Sequence, residues 1–467
     1  WSPLDYGMEI DFNRPYFDQF KELMSKVPQL SRSTVNNQNS DYINQAGWCK
    51  NCYLIYEADY NESCMYSNYI VDSRFCLDML NVNNCELCYE CIDCDDSYNL
   101  KFSQNCKNCS DAWFLKNCIG CRNCFGCSNL SNKEYYFLNK KYSKEEYLKK
   151  VESVNLKTYK SLEDAREKFT EFVKGYPQKH IQGVQNEDST GNYLSYTQRC
   201  TYCYDVNHSQ DCKYITNCRY MKMCQDITVF GSQQGAEFCY ESHEIGAGVR
   251  NILFSDQIWD GCYDIYYSKL CMKNSHHLFG CIGFKHGEYC ILNKKYSDED
   301  YESLKNRIIE HMKKTGEWGQ FLPAALCPYA YNESIAPNYF PLSKEEALAK
   351  NYKWKDPDKK EYRKQSCVIP ELIEKVSDSI TNEIMACETC GKNYKITEAE
   401  LQFYRRQKLP IPKYCSDCRH KTRFKFRNPR KLYSRNCQKC NLDIQTSFAS
   451  ERAEIVYCEK CYLESLN

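Results

Sequence analysis

No stretch of this chain is apolar for the length a membrane crossing needs, about 18 residues, anywhere in its 467 positions. No secretory pattern of basic start, short apolar core and small-residue cleavage site is seen either. An excess of charge of one sign is also missing. Sixty-two Lys and Arg balance 62 Asp and Glu, so only the distribution of charge can speak about partners. The patterns of common catalytic chemistry are lacking too: there is no Walker phosphate loop, no nucleophile elbow and no His-Glu-x-x-His. His286-Gly287-Glu288 opens like a zinc-deaminase signature without its Pro-Cys-x-x-Cys partner. Gly246-Ala247-Gly248 has no third glycine where a dinucleotide fold would put one, and His276-His277 reads as a turn or surface pair. No catalytic residue is therefore nominated, and the chain is expected not to be an enzyme, with an enzyme built on an unrecognised cleft as the last alternative; no small-molecule substrate is identified.

What the chain has in excess is cysteine, 34 residues. In a short secreted chain that count would mean a disulfide scaffold. Here the chain is long and highly charged, and many cysteines form Cys-x-x-Cys pairs. That combination points to metal and reduced thiols, hence a reducing compartment, the cytoplasm, and no membrane partner.

Fourteen cysteines between Cys49 and Cys127 share one phase of a three-residue period, the mark of a repeat. Rows of twelve starting at Cys49 align the pattern. Column four reads Cys52, Cys64, Cys76, Cys88, Leu100, Ala112, Cys124, and column ten Ala58, Ile70, Val82, Cys94, Cys106, Cys118, Leu130. Columns one and seven are likewise small or apolar. Column nine carries Asn81, Asp93, Asn105, Asn117 and Asn129, suited to a bend because Asn tolerates the left-handed conformation. Column five reads Tyr53, Met65, Leu77, Tyr89, Lys101, Trp113, Phe125, expected as an outer ladder. The predicted fold is mainly β: two short right-handed β-helix solenoids of about twelve residues per coil, with helical caps and C-terminal zinc ribbons. The rhythm resembles the twelve-residue coils of beetle antifreeze β-helices, but the Thr-x-Thr face those proteins use is missing.

A second solenoid follows, with a phase slip expected as a loop or bulge near Gly246–Gly261. Both solenoids end alike, at Leu138-Asn139-Lys140-Lys141-Tyr142-Ser143 and Leu292-Asn293-Lys294-Lys295-Tyr296-Ser297. Ser143 with Glu146, and Ser297 with Asp300, open capping helices at about 143–152 and 297–314. Ser343 with Glu346 is another capping box, and further helices are expected at 161–174 and 371–385. The segments are a helical cap at 1–48, solenoids at 49–142 and 188–296, a helical linker at 143–187, a helix and Pro/Tyr-rich wrap at 297–385, and tandem ribbons at 386–467. In the first, Phe17, Phe20, Leu23, Met24 and Val27 form one helical face after Pro15.

The sharpest chemical signal lies at the C-terminal end. Cys387 and Cys390 are matched by Cys415 and Cys418, and Cys437 and Cys440 by Cys458 and Cys461. Each set of four thiols can close a tetrahedral Zn²⁺ site with no position left for water, so both zincs are expected to be structural. Between them runs a basic stretch with no acid: Arg419, Lys421, Arg423, Lys425, Arg427, Arg430, Lys431 and Arg435. On a strand, the cations from Lys421 to Arg427 would line one face and Thr422, Phe424 and Phe426 the other, which suits a phosphate backbone. The expected partner is nucleic acid or a ribonucleoprotein; the alternative is a protein bound through an aromatic ladder that includes Tyr89, Trp113 and Phe125. The solenoid cysteines have three open readings: packed thiols, disulfides or metal ligands.

Asp5-Tyr6-Gly7, Asp11-Phe12-Asn13-Arg14-Pro15, the two Asn-Lys-Lys-Tyr-Ser endings, Thr315-Gly316-Glu317-Trp318-Gly319 and Tyr339-Phe340-Pro341-Leu342 together resemble a family of cysteine-rich repeat proteins with zinc ribbons from uncultivated bacteria with reduced genomes. In that family a ribbon often precedes the solenoid and ends in Cys-x-x-Cys-Trp, so the resemblance implies one ahead of Trp1. It implies no activity.

Overall fold

The computed structural model describes every residue except Gly231, Lys359 and Asn467. The chain is mainly β, with parallel-strand sheets, and divides into two compact units. One comprises Ser31–Gln178, Pro357–Asn428 and Ala453–Asn467; the other comprises Trp1–Leu30, Lys179–Asp356 and Pro429–Arg452. Among the described residues, no helix is long and apolar enough to cross a membrane.

The first unit holds an 11-stranded sheet whose strands pair in chain order, from Thr34–Val35 to Lys140–Lys141. Up to the final hairpin the pairing is parallel with a constant offset: Tyr53 faces Met65, Leu80 faces Ile92, and Ser110 faces Arg122. This is the twelve-residue period, and it begins at Thr34, inside the stretch expected as a helical cap. Every third residue from Asn36 to Leu138 has a positive φ, between 46° and 65°. Asn and Asp fill many of these corners, as column nine led one to expect, but Tyr, Phe, Leu and Glu occupy others. Each such corner costs an L-residue about 1–2 kcal/mol. Side-chain ladders offset part of that cost, as where Asn105 donates to Asn117 and Asn117 to Asn129.

The inward columns are buried, Leu130 only in part, and their thiols are unbridged. Their size is only half the reason for cysteine and serine here. The buried residues of these columns carry backbone N–H groups that need acceptors. Ser73 Oγ accepts from Cys85 N and donates to Val71 O. Cys88 Sγ takes the same place beneath Leu100 N and lies 3.3 Å from Glu86 O, a weak S–H donor contact. Where a coil needs a longer arm, Asn61 bonds Ser73 N and Ile70 O.

The Leu-Asn-Lys-Lys-Tyr-Ser ending has a plain function in the fold. Asn139 reaches back to both backbone groups of Ser128, which would otherwise be an open sheet edge. The chain then reverses into Lys140–Lys141, and Ser143 and Glu146 form a reciprocal cap on the helix Lys144–Val154. That helix and the next, Tyr159–Lys174, place Tyr147, Leu162 and Ala165 over Phe114 and Phe125. Segment 371–385 is not the expected helix; it forms two short 3-10 turns, Ile373–Lys375 and Asp378–Asn382, whose Ile373, Val376 and Ile380 cover Leu77 and Tyr89. Most of column five is therefore covered by its own chain: Leu77 is 0% exposed, Tyr89 5% and Phe125 5%, while Tyr53 and Trp113 are half-buried.

The other unit holds a 15-stranded sheet from Gly183–Val184 to Lys294–Lys295. Its offset is eleven between Gly183 and Leu194, twelve from Gly191 and Cys203 until Thr216 pairs with Thr228, then fifteen between Gln225 and Tyr240. It is thirteen from Ala236 through His276, and twelve again to Glu288. The slip thus begins ahead of Gly246 and spreads over several turns. Asn293 repeats the role of Asn139, bonding both backbone groups of Ile282. The helices Tyr16–Lys26 and Asp298–Thr315 bury Phe20, Leu23, Ile308 and Met312 over Phe254, Tyr267 and Phe279. Pro15 offers no side-chain cap, and the N–H groups of Tyr16 and Phe17 instead bond the Glu317 carboxylate at 2.9 and 2.7 Å. The Asp-Phe-Asn-Arg-Pro and Thr-Gly-Glu-Trp-Gly segments are in this way two halves of one helix cap.

Candidate metal centre and arginine anchor

Met385–Ala386 and Asn393–Tyr394 form a short antiparallel pair, and the turn between them holds Cys387 and Cys390. Gly391 closes the turn with a φ of 72°, its N–H bonding Cys387 O, while Cys387 N bonds Lys392 O. Cys415 is the N-cap of the helix Ser416–Phe426, and Cys418 lies in its first turn. The four ligand atoms lie within 4.8 Å of one another, with Cys390 and Cys415 Sγ 3.7 Å apart. A tetrahedron with metal–sulfur bonds of about 2.3 Å has sulfur–sulfur edges of about 3.8 Å. Burial pushes the Cys387 thiol up, but the N–H groups of Cys415, Cys390 and Thr389 outweigh it and bring it down to about 6. Burial and the neighbouring Cys390 and Cys387 thiols push Cys418 up. A closed set of four sulfurs at these spacings suits a soft divalent metal ion.

Cys437, Cys440, Cys458 and Cys461 meet the same distance limit. Asn441, φ 62°, takes the place of Gly391, and Cys458 is again a helix N-cap. Both tetrads therefore combine a hairpin turn with a helix start, where the helix dipole favours thiolate. Only one Cys-x-x-Cys pair of each set lies in a hairpin turn. Among the described residues, these two groups are the ones whose geometry could hold a metal ion.

The basic stretch departs further from expectation. Residues 416–426 are a helix, not a strand, so cations and rings do not alternate between two faces. Arg419 and Arg423, one turn apart, share a face. Asp78 Oδ2 lies 2.9 Å from Arg419 Nε and Asp78 Oδ1 2.8 Å from Arg423 Nη1. The side chains are 0–4% exposed. These contacts are close but off-line for hydrogen bonds. Glu400 stands 3.5 Å from Arg419 and accepts from the hydroxyls of Tyr66 and Tyr404, while Arg423 also donates to Tyr66 O. Burial raises the Glu400 carboxyl above its ordinary range, against the pull of Arg419. Arg427 grips Asp93 with two nitrogens, both at 3.0 Å.

Beyond the helix, Arg430 bonds Asp205 and Asn217 with its guanidinium 3.7 Å from the Tyr339 ring centre. Arg435 donates to Ala449 O. Of the eight expected nucleic-acid contacts, Lys421, Lys425 and Lys431 have exposed side chains, and the buried arginines have acids of their own chain. The residues that sequence reasoning missed are Asp78, Glu400 and Asp93. A signal existed: column six reads Leu54, Tyr66, Asp78, Glu90, Phe102, Phe114, and its two acids interrupt an apolar series. Asp78 meets Arg419 and Arg423; Glu90 meets Arg166.

No family model matches the chain, and no curated protein matches it.

Proposed function

We propose that the protein is a non-enzymatic zinc scaffold. In this reading the two sheets are walls of narrow right-handed β-solenoids, and zinc fills both cysteine tetrads. In the first sheet the constant twelve-residue offset, the left-handed corner at every third residue and the buried inward columns support this, and in the second the parallel pairing at offsets of eleven to fifteen does. The closed four-thiol geometry supports zinc. The observation that carries the reading is the burial of Arg419 and Arg423 against Asp78. It makes the basic helix an internal tie that fastens a metal-bound arm to the flank of the repeat. Purified protein is expected to hold two zinc ions per chain, and strong chelation to open Arg419 and Arg423 to trypsin. A metal-free folded chain, or a tryptic pattern that chelation leaves unchanged, overturns it.

Binding of nucleic acid or a ribonucleoprotein is a second reading, favoured by the exposure of Lys421, Lys425 and Lys431. It predicts salt-sensitive binding that Lys421→Glu with Lys425→Glu abolishes; binding unchanged in that double variant removes it.

A further inference from the structure

One row of corners in the 15-stranded sheet carries stacked rings. Tyr196 stacks on His208 and His208 on Tyr220, each pair with centroids 4.8 Å apart and planes within 23°. The row then loses its side chains. The next two corners are Gly235 and Gly248, with φ of 69° and 64°. Gly235 follows Tyr220 directly: a Cβ added to it would lie 2.7 Å from Tyr220 O. A Cβ added at Gly248 would make only ordinary contacts, the nearest to Gln234 Oε1 at 3.7 Å. One corner further on, the Asn274 side chain lies over Gly261 and closes the row, its Oδ1 occupying the place an added Cβ would need.

The result is a notch two rungs tall, a cavity of about 330 Å³ with Tyr220 at one end. Gln234 and Tyr263 line it, and the outer face of Tyr263 is already stacked on His276 at 4.8 Å. Arg250 and Glu237 also line it and are paired in register, and the Arg250 side chain is exposed. An aromatic stack that stops at a ring face, a floor of glycine backbone and an exposed guanidinium beside it form a site for a flat ring that carries an anion.

We propose that this notch binds a nucleotide unit, its base continuing the stack on Tyr220 and its phosphate meeting Arg250. A cavity of this size lies at the small end of ligand sites and suits one such unit. The unit comes either from a free mononucleotide or from a single strand, and both offer the same ring and phosphate.

The test titrates the full zinc-loaded chain with AMP, adenosine, inorganic phosphate and a short single-stranded oligoadenylate by calorimetry. AMP is expected to bind more tightly than adenosine, and phosphate alone weakly. Tyr220→Asn keeps the left-handed corner and removes the ring; it should weaken AMP and adenosine by about ten- to a hundredfold. Arg250→Gln should weaken AMP and leave adenosine unchanged. Gly248→Asn, whose Cβ meets no atom closer than 3.7 Å and whose residue type tolerates the positive φ, should fill the notch and block both. Thermal melting matched to the parent chain verifies that each variant folds. Tighter binding of the oligonucleotide than of AMP, lost in the same variants, assigns the unit to a strand; equal binding assigns it to the free nucleotide. Absence of AMP binding at millimolar concentration, or binding that Tyr220→Asn and Gly248→Asn leave intact, overturns the proposal.

Discussion

Replacing Asp78 by Asn keeps the size of the side chain and removes the charge that two guanidiniums share. Those guanidiniums sit 2.9 and 2.8 Å away, with the acid 0% and the arginines no more than 4% exposed. Removing one partner of a buried pair costs about 3–5 kcal/mol, because the other charge remains unpaired out of water. Here two charges are orphaned, but neither completely: Arg419 keeps Glu400 and Tyr414 O, and Arg423 keeps Tyr66 O. About 4 kcal/mol is the expected loss, a large share of the 5–15 kcal/mol typical of a domain. Arg423→Met leaves Asp78 with Arg419 and should cost less, about 1–3 kcal/mol. The double variant Asp78→Leu with Arg423→Met leaves the Arg419–Glu400 pair neutral as a whole and should recover most of the loss. A chain of two compact units need not unfold in one step. Hydrogen exchange of the amides in Ser416–Phe426, with zinc present, is therefore the right assay. If Asp78→Asn leaves that exchange unchanged, or the double variant is worse than either single one, the anchor argument is wrong.

Cys387→Ser or Cys390→Ser should lower bound zinc from two ions per chain to one, measured by elemental analysis, with early proteolysis confined to the first arm. Burial lowers the ammonium of Lys101 from 10.5 to about 8, with Cys88, Cys91 and Asp111 pulling the other way and Asn99 and the Trp113 ring beside it. The folded state thus releases this proton before the unfolded state does, so stability from this residue climbs as pH rises from 8 to 10.5. Lys101→Met should stabilise the unit at pH 7 by up to about 3 kcal/mol and abolish that climb in denaturant titrations. Asn139→Ala opens the last sheet edge and should cost about 1–3 kcal/mol, seen as faster exchange at Ser128. Thiol labelling of the native chain should reach Cys327 and leave the buried thiols from Cys49 to Cys290 unmodified until denaturant is added.

The repeat was legible because its constraint is local. A chain that turns inward every third residue admits only small or slim side chains there, and the cysteines print that period directly. The tetrads were legible for the same reason, since two Cys-x-x-Cys pairs state their own geometry. The basic stretch was misjudged because its meaning depends on residues over three hundred positions away. Lys421 to Arg427 fits a two-faced strand on paper, yet Cys415 starts a helix, and on a helix Arg419 and Arg423 point together at Asp78. Column five was misjudged likewise. Its rings do line an outer face, but Phe403, Tyr404 and Ile411 cover that face, and nothing in the repeat itself announces them.

The exceptions within a column therefore carry more long-range information than the column. An acid in an apolar row of a repeat cannot be explained by the repeat, so it implies a cation brought from elsewhere; Asp78 and Glu90 each meet that demand. The same reasoning joins the two halves of the candidate site. Cys418 and Arg419 are neighbours on one helix, so the geometry that closes the first tetrad also sets the angle at which the guanidiniums reach Asp78. Whatever holds that helix on the repeat must favour metal binding by the same factor by which metal favours the docked helix, because the two equilibria share one conformation. A cysteine tetrad on such an arm is thus more than a staple for a small domain: it is one end of a tie whose other end is a buried carboxylate in the repeat.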